Sequence, residues 1–164
     1  MTDGRAQLRI LALEWGVKES FRRYVEATEG EIAALDGATR AEDGSFIFPA
    51  REAEGAALSP WGGEPAGEAR FTGAARFHGH GGMLAVFLAD PAIEVSPEGW
   101  RLTACDSPRH DQRIVVATLQ PPGPAEAGGT ELVLACAITY DGGQLLGGHY
   151  PPGTPIDAVR LRLG

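Results

Sequence analysis

The sequence predicts a mainly β chain, an antiparallel β sandwich or open barrel carrying one main N-terminal α-helix. Three observations predict it. Short apolar runs are punctuated by 23 glycines and 12 prolines among 164 residues, which favours strands joined by tight turns over a helical bundle. Several of those runs alternate apolar and polar residues with the period of two that marks a half-buried strand. Only one stretch, Val17 to Val25, carries an apolar stripe at helical spacing.

In chain order, Leu11, Leu13 and Trp15 alternate with Ala12 and Glu14, predicting a strand that feeds the helix through Gly16. On the helix, Val17, Phe21, Tyr24 and Val25 fall at i, i+4, i+7 and i+8, while Lys18, Glu19, Arg22 and Arg23 fall largely off that stripe. Tyr24 is therefore expected to point inward beside Phe21, where its hydroxyl needs a protein acceptor or a metal. The helix should end near Thr28 with Gly30 as its stop signal, and Glu31 to Leu35 read as a short turn. Asp43-Gly44 predicts a hairpin between Ala38-Thr39-Arg40 and Ser45-Phe46-Ile47-Phe48. Ala50 to Gly67 reads as an irregular, flexible connection with Leu58 and Trp61 as its only large apolar groups. Glu68 to His78 alternates as one strand, with Phe71, Gly73, Ala75 and Phe77 on one face.

A Gly79-His80-Gly81-Gly82 turn leads into a buried strand, Met83 to Leu88, closed by Asp90-Pro91. Ile93-Glu94-Val95 and Trp100 to Ala104 form a hairpin about Pro97-Glu98-Gly99. Ile114 to Leu119 and Glu131 to Tyr140 are further strands, separated by the Pro121 to Gly129 loop. Asp141-Gly142-Gly143 is a turn, and the stiff Gly147 to Pro155 loop precedes a last strand, Ala158 to Leu163. The sum is nine or ten strands in one domain, residues 1–164, with no internal repeat.

The formal net charge of −8 repels phosphate backbones and anionic lipid surfaces, which argues against nucleic acid as a partner. The longest apolar runs, Met83 to Ala89 and Leu132 to Ile138, fall far short of the roughly 20 residues of a membrane-spanning helix. No secretory leader is visible in Met1 to Gln7, so the chain as written reads as cytoplasmic. Cys105 and Cys136 sit singly in apolar contexts and read as buried reduced thiols. There is no G-x-S-x-G, no P-loop and no dinucleotide fingerprint.

Of the four histidines, His78 and His80 form an H-x-H pair able to hold zinc or iron on one strand edge, although no third ligand stands at motif spacing. Glycines flank His80 and leave room for a ligand. Tyr150 lies between two glycines upstream and two prolines downstream, on a stiff loop. Singly, each of Tyr24, His80 and Tyr150 is compatible with a structural role.

Their local sequences point further. Trp15-Gly16-Val17-Lys18-Glu19-Ser20-Phe21-Arg22-Arg23-Tyr24 resembles the opening motif, W-x-V-K-x-S-F-R-x-Y, of the haem-transport-associated (HtaA) domain family of actinobacteria. Gly37-Ala38 with Phe46 to Pro49, then Phe77-His78-Gly79-His80-Gly81-Gly82-Met83-Leu84 with Ala89-Asp90-Pro91, then Gly147 to Asp157 resemble that family's later blocks in order. The resemblance spans essentially the whole chain.

The resemblance implies binding of ferric haem b by a mostly β domain, with Tyr24 as the axial iron ligand and His80 and Tyr150 as further pocket residues. A phenolate is a hard anion suited to ferric iron, and an unperturbed phenol titrates near 10, so a donor such as His80 must help to stabilise it. Ser20, one turn before Tyr24, is placed to meet a propionate, with Lys18, Arg22 and Arg23 as further cations. Phe21, Phe77 and Met83 are candidate apolar walls. Two departures stand out: family members are typically exported or surface-associated, and His149 and Ala158 replace an aromatic and a proline. His149 is thus a candidate second iron ligand or partner of the bound phenolate. The leading expectation is a non-enzymatic haem protein for transport, buffering or trafficking, with haem and other haem-trafficking proteins as partners and a homodimer within reach. The alternatives are a peroxidase-like haem enzyme with His80 or His149 as acid–base group, and an interaction module that no longer binds haem.

Overall fold

The computed structural model describes residues 8–59, 67–109, 111–121 and 129–164. Trp61, His110, Met1 to Gln7 and most of the loop after Pro121 lie outside the described residues. The elements are β1 (Leu8–Trp15), α1 (Glu19–Ala27), β2 (Glu31–Leu35), β3 (Thr39–Arg40), β4 (Phe46–Pro49), β5 (Ala56–Leu58), β6 (Gly67–Arg70) and β7 (Ala74–Gly79). After a 3₁₀ turn at His80–Gly82 come β8 (Leu84–Ser96), β9 (Gly99–Cys105), β10 (Arg113–Leu119), β11 (Glu131–Ile138), α2 (Tyr140–Leu145) and β12 (Pro155–Leu163).

The strands form one antiparallel sheet in the order β2-β7-β8-β9-β10-β11-β12-β1-β4-β3, with β5 added to β1 and β6 to β8. Its end strands, β2 and β3, are consecutive in the chain and touch. The Asp36-Gly37 turn between them carries both residues at positive φ, 58° and 105°. The sheet is therefore a nearly closed barrel, the open-barrel form of the expected fold class.

Several local expectations shift under tertiary pairing. Glu31 to Leu35 is a strand rather than a turn, because β2 finds a partner in β7, Ile32 opposite Phe77. Ala50 to Gly67 is not wholly irregular, since Ala56–Leu58 pairs with β1. The run from Glu68 to His78 breaks at Gly73, φ 126°, into two strands that pair with successive parts of β8. β8 is not closed at Asp90-Pro91. It passes through them in a bulge between Ala89 and Ala92 that absorbs the proline, with Asp90 at φ 51°. A second bulge in β1, between Ile10 and Ala12, turns Leu11 outward while Ile10, Leu13 and Trp15 stay buried. Asp141-Gly142-Gly143 is helical, lying within α2, and β12 begins three residues before the expected start. The hairpins about Asp43-Gly44 and Pro97-Glu98-Gly99 form as the turn residues dictate.

The barrel interior holds Trp15, Phe46, Phe48, Phe71 and Phe77, each nearly or wholly excluded from solvent. Helix α1 packs on β2 and β7 and drops Phe21 onto this core, 5.2 Å from Phe77 in an edge-on arrangement. Both cysteines are buried and free. Burial pushes the Cys136 thiol up to about 12 and raises that of Cys105, so both remain protonated thiols near neutral pH.

Helix α2 sits on β10 through glycine. A methyl group at Gly142 would lie 2.2 Å from the Val116 carbonyl oxygen, and one at Gly143 would lie 2.6 Å from that of Tyr150. Gly142→Ala should therefore destabilise the fold by about 1–3 kcal/mol, the usual range for overpacking. Gly99→Ala, where nothing among the described residues stands within 4 Å but φ is +135°, should cost only backbone strain and less than Gly142→Ala; urea midpoints of both variants check the contrast.

Candidate functional site

The site is built where α1 meets β7 and the loop after α2. Lys18, the residue before α1, makes no side-chain cap. The missing cap comes from β12: Asp157 Oδ1 accepts the Glu19 backbone N–H at 2.9 Å, and Oδ2 pairs with Arg22 Nη1 at 2.7 Å. The same Arg22 nitrogen donates to the Gly16 carbonyl at 2.7 Å. Backbone bonds lock the junction, with Trp15 Nε1 donating to the Asp157 carbonyl and the Asp157 N–H donating to the Val17 carbonyl. Val17, a β-branched residue, is held at φ 68°, a strained conformation that marks the start of the helix. A methyl group at Gly16 would lie 2.2 Å from Arg22 Nη1 and 2.6 Å from Asp157 Oδ2, so a side chain there would displace the ion pair.

The far end of α1 is seated on β7. A methyl group at Gly30 would come 2.4 Å from the His78 carbonyl oxygen, and one at Gly79 would come 2.8 Å from Thr28 Oγ1. This close approach brings Tyr24 to His80, whose φ of 50° begins a left-handed turn completed by Gly81 and Gly82. Tyr24 Oη and His80 Nε2 stand 2.5 Å apart in a strong hydrogen bond, with the rings tilted at 54°. Tyr24 does not point inward as the stripe implied. It lies at the stripe's edge, 46% exposed, while Phe21 and Val25 are buried.

Ser20, Phe21 and Tyr24 from α1 form one wall of a cleft of about 420 Å³, Leu146, Gly147, His149 and Tyr150 form another, and Leu84 of β8 completes it. Five of the six residues expected at a site thus line one cleft, and the sixth, His80, is bonded to Tyr24. The volume is within the range of small-molecule sites. Leu84 and Gly147 lie inside sequence blocks already distinguished; Leu146, in front of a double glycine, carried no signal of its own.

Other expectations fail for geometric reasons. Met83 is 91% exposed and does not line the cleft, and Phe77 lies in the core beneath Phe21. His78 stays on β7 and faces a different cleft, with Arg76 and Phe87, because the left-handed turn at His80 breaks the strand's alternation. The H-x-H pair therefore does not converge, and no group of three metal-binding side chains occurs among the described residues. Arg22 is only 8% exposed and committed to Asp157, so it is not a free cation, and Arg23 is paired with Glu19 on the surface. Lys18 remains near the cleft, its ammonium 5.4 Å from the centre of the Tyr150 ring and 3.2 Å from the Pro155 carbonyl oxygen.

With the geometry in view, the HtaA family model matches residues 11–162. The chain belongs to the HtaA family. Its fold is also that of HtaA-type structures from Corynebacterium glutamicum. The C-terminal domain of HtaA aligns with a TM-score of 0.72 at 23% identity, over 96% of this chain and 99% of that one. The N-terminal domain of HtaA gives 0.68 at 20% identity over 96% and 98%, and the haem-binding protein HtaB gives 0.63 at 15% over 96% and 93%. No curated protein sequence matches the chain significantly. Among the described residues, no helix is long and apolar enough to cross a membrane.

Around the Arg22–Asp157 pair runs a wider ion network. Arg160 bridges Asp43 at 2.8 Å and the buried Glu14 at 3.1 Å, and Arg162 reaches Glu14 at 3.3 Å. The Ser45 hydroxyl and backbone N–H, with Arg160, hold the Asp43 carboxyl down at about 2. Asp157→Ala should lower stability by about 2–3 kcal/mol, between a surface and a fully buried pair, because it strands the Arg22 guanidinium; urea unfolding measures it. A depressed carboxyl stabilises the fold above its unfolded value of 3.8, and that contribution is lost as pH falls towards about 2. The stability difference between the wild type and Asp43→Asn should therefore be full at pH 5 and shrink towards pH 2.

Proposed function

We propose that this protein binds ferric haem b in the cleft between α1 and the loop after α2, with the Tyr24 oxygen as the iron ligand, and serves as a haem carrier or buffer. The observation that carries this reading is the Tyr24–His80 pair. A phenol exposed at the mouth of a cleft, its oxygen 2.5 Å from an imidazole nitrogen, can pass its proton to that nitrogen and act as a phenolate. Once deprotonated, the oxygen keeps the imidazole N–H as a donor, which orients it and disperses its charge. Membership of the HtaA family and the likeness to a haem-binding protein support haem as the ligand.

The remaining residues suit a flat, mostly apolar ligand with two carboxylates. Phe21, Leu84 and Leu146 offer apolar contact, Tyr150 offers an aromatic face, and Ser20 and Lys18 offer a hydroxyl and a cation. Those two groups are the local answer to a chain whose net charge of −8 would otherwise repel the carboxylates. Haem itself would supply an electron-poor ferric centre that accepts the phenolate oxygen.

Titration of the purified protein with hemin, followed by absorption, tests the reading. The wild type should give a saturable one-to-one complex. Tyr24→Phe should change the spectrum and weaken binding by about tenfold or more, a loss of at least about 1.4 kcal/mol of binding free energy. His80→Ala should retain a complex with lower affinity. Absence of a saturable wild-type complex would refute haem binding; an unaltered Tyr24→Phe spectrum would refute the ligand assignment. As a carrier, the complex should turn over peroxide with an electron donor no faster than free hemin.

A further inference from the structure

We infer that His149 is the second axial ligand to the iron, so that this protein holds its haem six-coordinate between Tyr24 and His149. The inference rests on the haem reading above and concerns a residue that the structure leaves without another role. His149 lines the same cleft as Tyr24, from the separate segment that follows α2. His149 is exposed and its imidazole has no hydrogen-bond or ion-pair partner among the described residues, whereas the other histidine at the site, His80, shares its Nε2 with the Tyr24 hydroxyl. The role of supporting the phenolate is therefore taken, and His149 is left with an unpartnered ring nitrogen, a usual donor to haem iron.

The backbone before His149 is built for this placement. Gly147 and Gly148 stand at φ 99° and 81°, a left-handed pair that folds the chain back at the end of α2. The imidazole lies against Gly147, its Cδ2 3.4 Å and its Nε2 3.8 Å from where a methyl group would sit, so a side chain there would crowd the ring. The next residue is anchored instead. Tyr150 has its carbonyl oxygen under Gly143 and its ring under the Lys18 ammonium. A left-handed glycine pair on one side and a seated tyrosine on the other set where His149 stands at the cleft.

Two ligands from separate segments, one on a helix and one on a loop, confer different properties than one. The second face of the iron is closed to peroxide and other small ligands, which fits carriage rather than catalysis. No bond within the chain changes, and the iron remains ferric throughout.

The test is the spin state of the ferric complex, read by absorption and electron paramagnetic resonance on the full chain with one equivalent of hemin. The wild type should be six-coordinate and low-spin. His149→Phe should still form the one-to-one complex but become five-coordinate and high-spin, and His149→Ala should do the same if the larger ring disturbs the loop. Imidazole added from solution should bind the His149→Phe complex about tenfold or more tightly than the wild type, because in the wild type it must displace an internal ligand. A five-coordinate high-spin wild type, or a low-spin complex unaffected by either substitution, overturns the inference while leaving haem binding through Tyr24 intact. A protein that forms no hemin complex overturns both.

Discussion

The Arg22–Asp157 ion pair is the constraint on which the site depends. Asp157 caps the first turn of α1 with one oxygen and neutralises Arg22 with the other, while its backbone joins β12 to the strained Val17. The helix lacks a local N-cap, is only nine residues long and would be marginal alone, so it is stable only where β12 completes it. Because Tyr24 rides on that helix, the position of the phenol is set by a carboxylate at the other end of the chain. Solvent has little access to the pair, with side-chain exposures of 10% and 28%, so salt screens it less than a surface bridge.

Close approach of backbones does the rest of the positioning. Gly16, Gly30 and Gly79 each stand where a methyl group would strike a neighbouring atom, and each lies along the seat of α1. Gly142 and Gly143 do the same for α2 and the loop that carries His149 and Tyr150. The two walls of the cleft are thus drawn onto the barrel by residues with no side chain, while the side chains that face the cleft stay free to meet a ligand. His80 and its following glycines extend this logic: a left-handed turn, open to solvent at Gly81 and Gly82, swings one imidazole off the strand and onto the phenol.

The charges are segregated by function. The carboxylates Glu14, Asp43 and Asp157 are gathered with Arg22, Arg160 and Arg162 into a network on the side of α1 away from the phenol. Among the residues that line the cleft, none is acidic, so an anionic ligand meets no carboxylate there despite the acidic composition. Arg22 is consumed in holding the fold and Arg23 is paired with Glu19 at the surface, while Lys18 stands beside the cleft.

The sequence by itself determined the mainly β class, the two hairpin turns and the single main helix, and it singled out five residues that the fold gathers along one cleft. It did so because turn chemistry, strand alternation and helical spacing act over a few residues, and because the family's blocks stand in order along the chain. It misjudged Tyr24 and Arg22, for a related reason: a stripe on a helix does not say which of its edges meets the core. Arg22 is inside because Asp157, 135 residues away, receives it, and Tyr24 is outside because His80 waits there. Strand status for Glu31 to Leu35 and continuity of β8 through Asp90-Pro91 likewise came from pairing with neighbouring strands of the sheet. Only the tertiary structure could decide these, since each depends on which distant segment satisfies a backbone hydrogen bond or a buried charge.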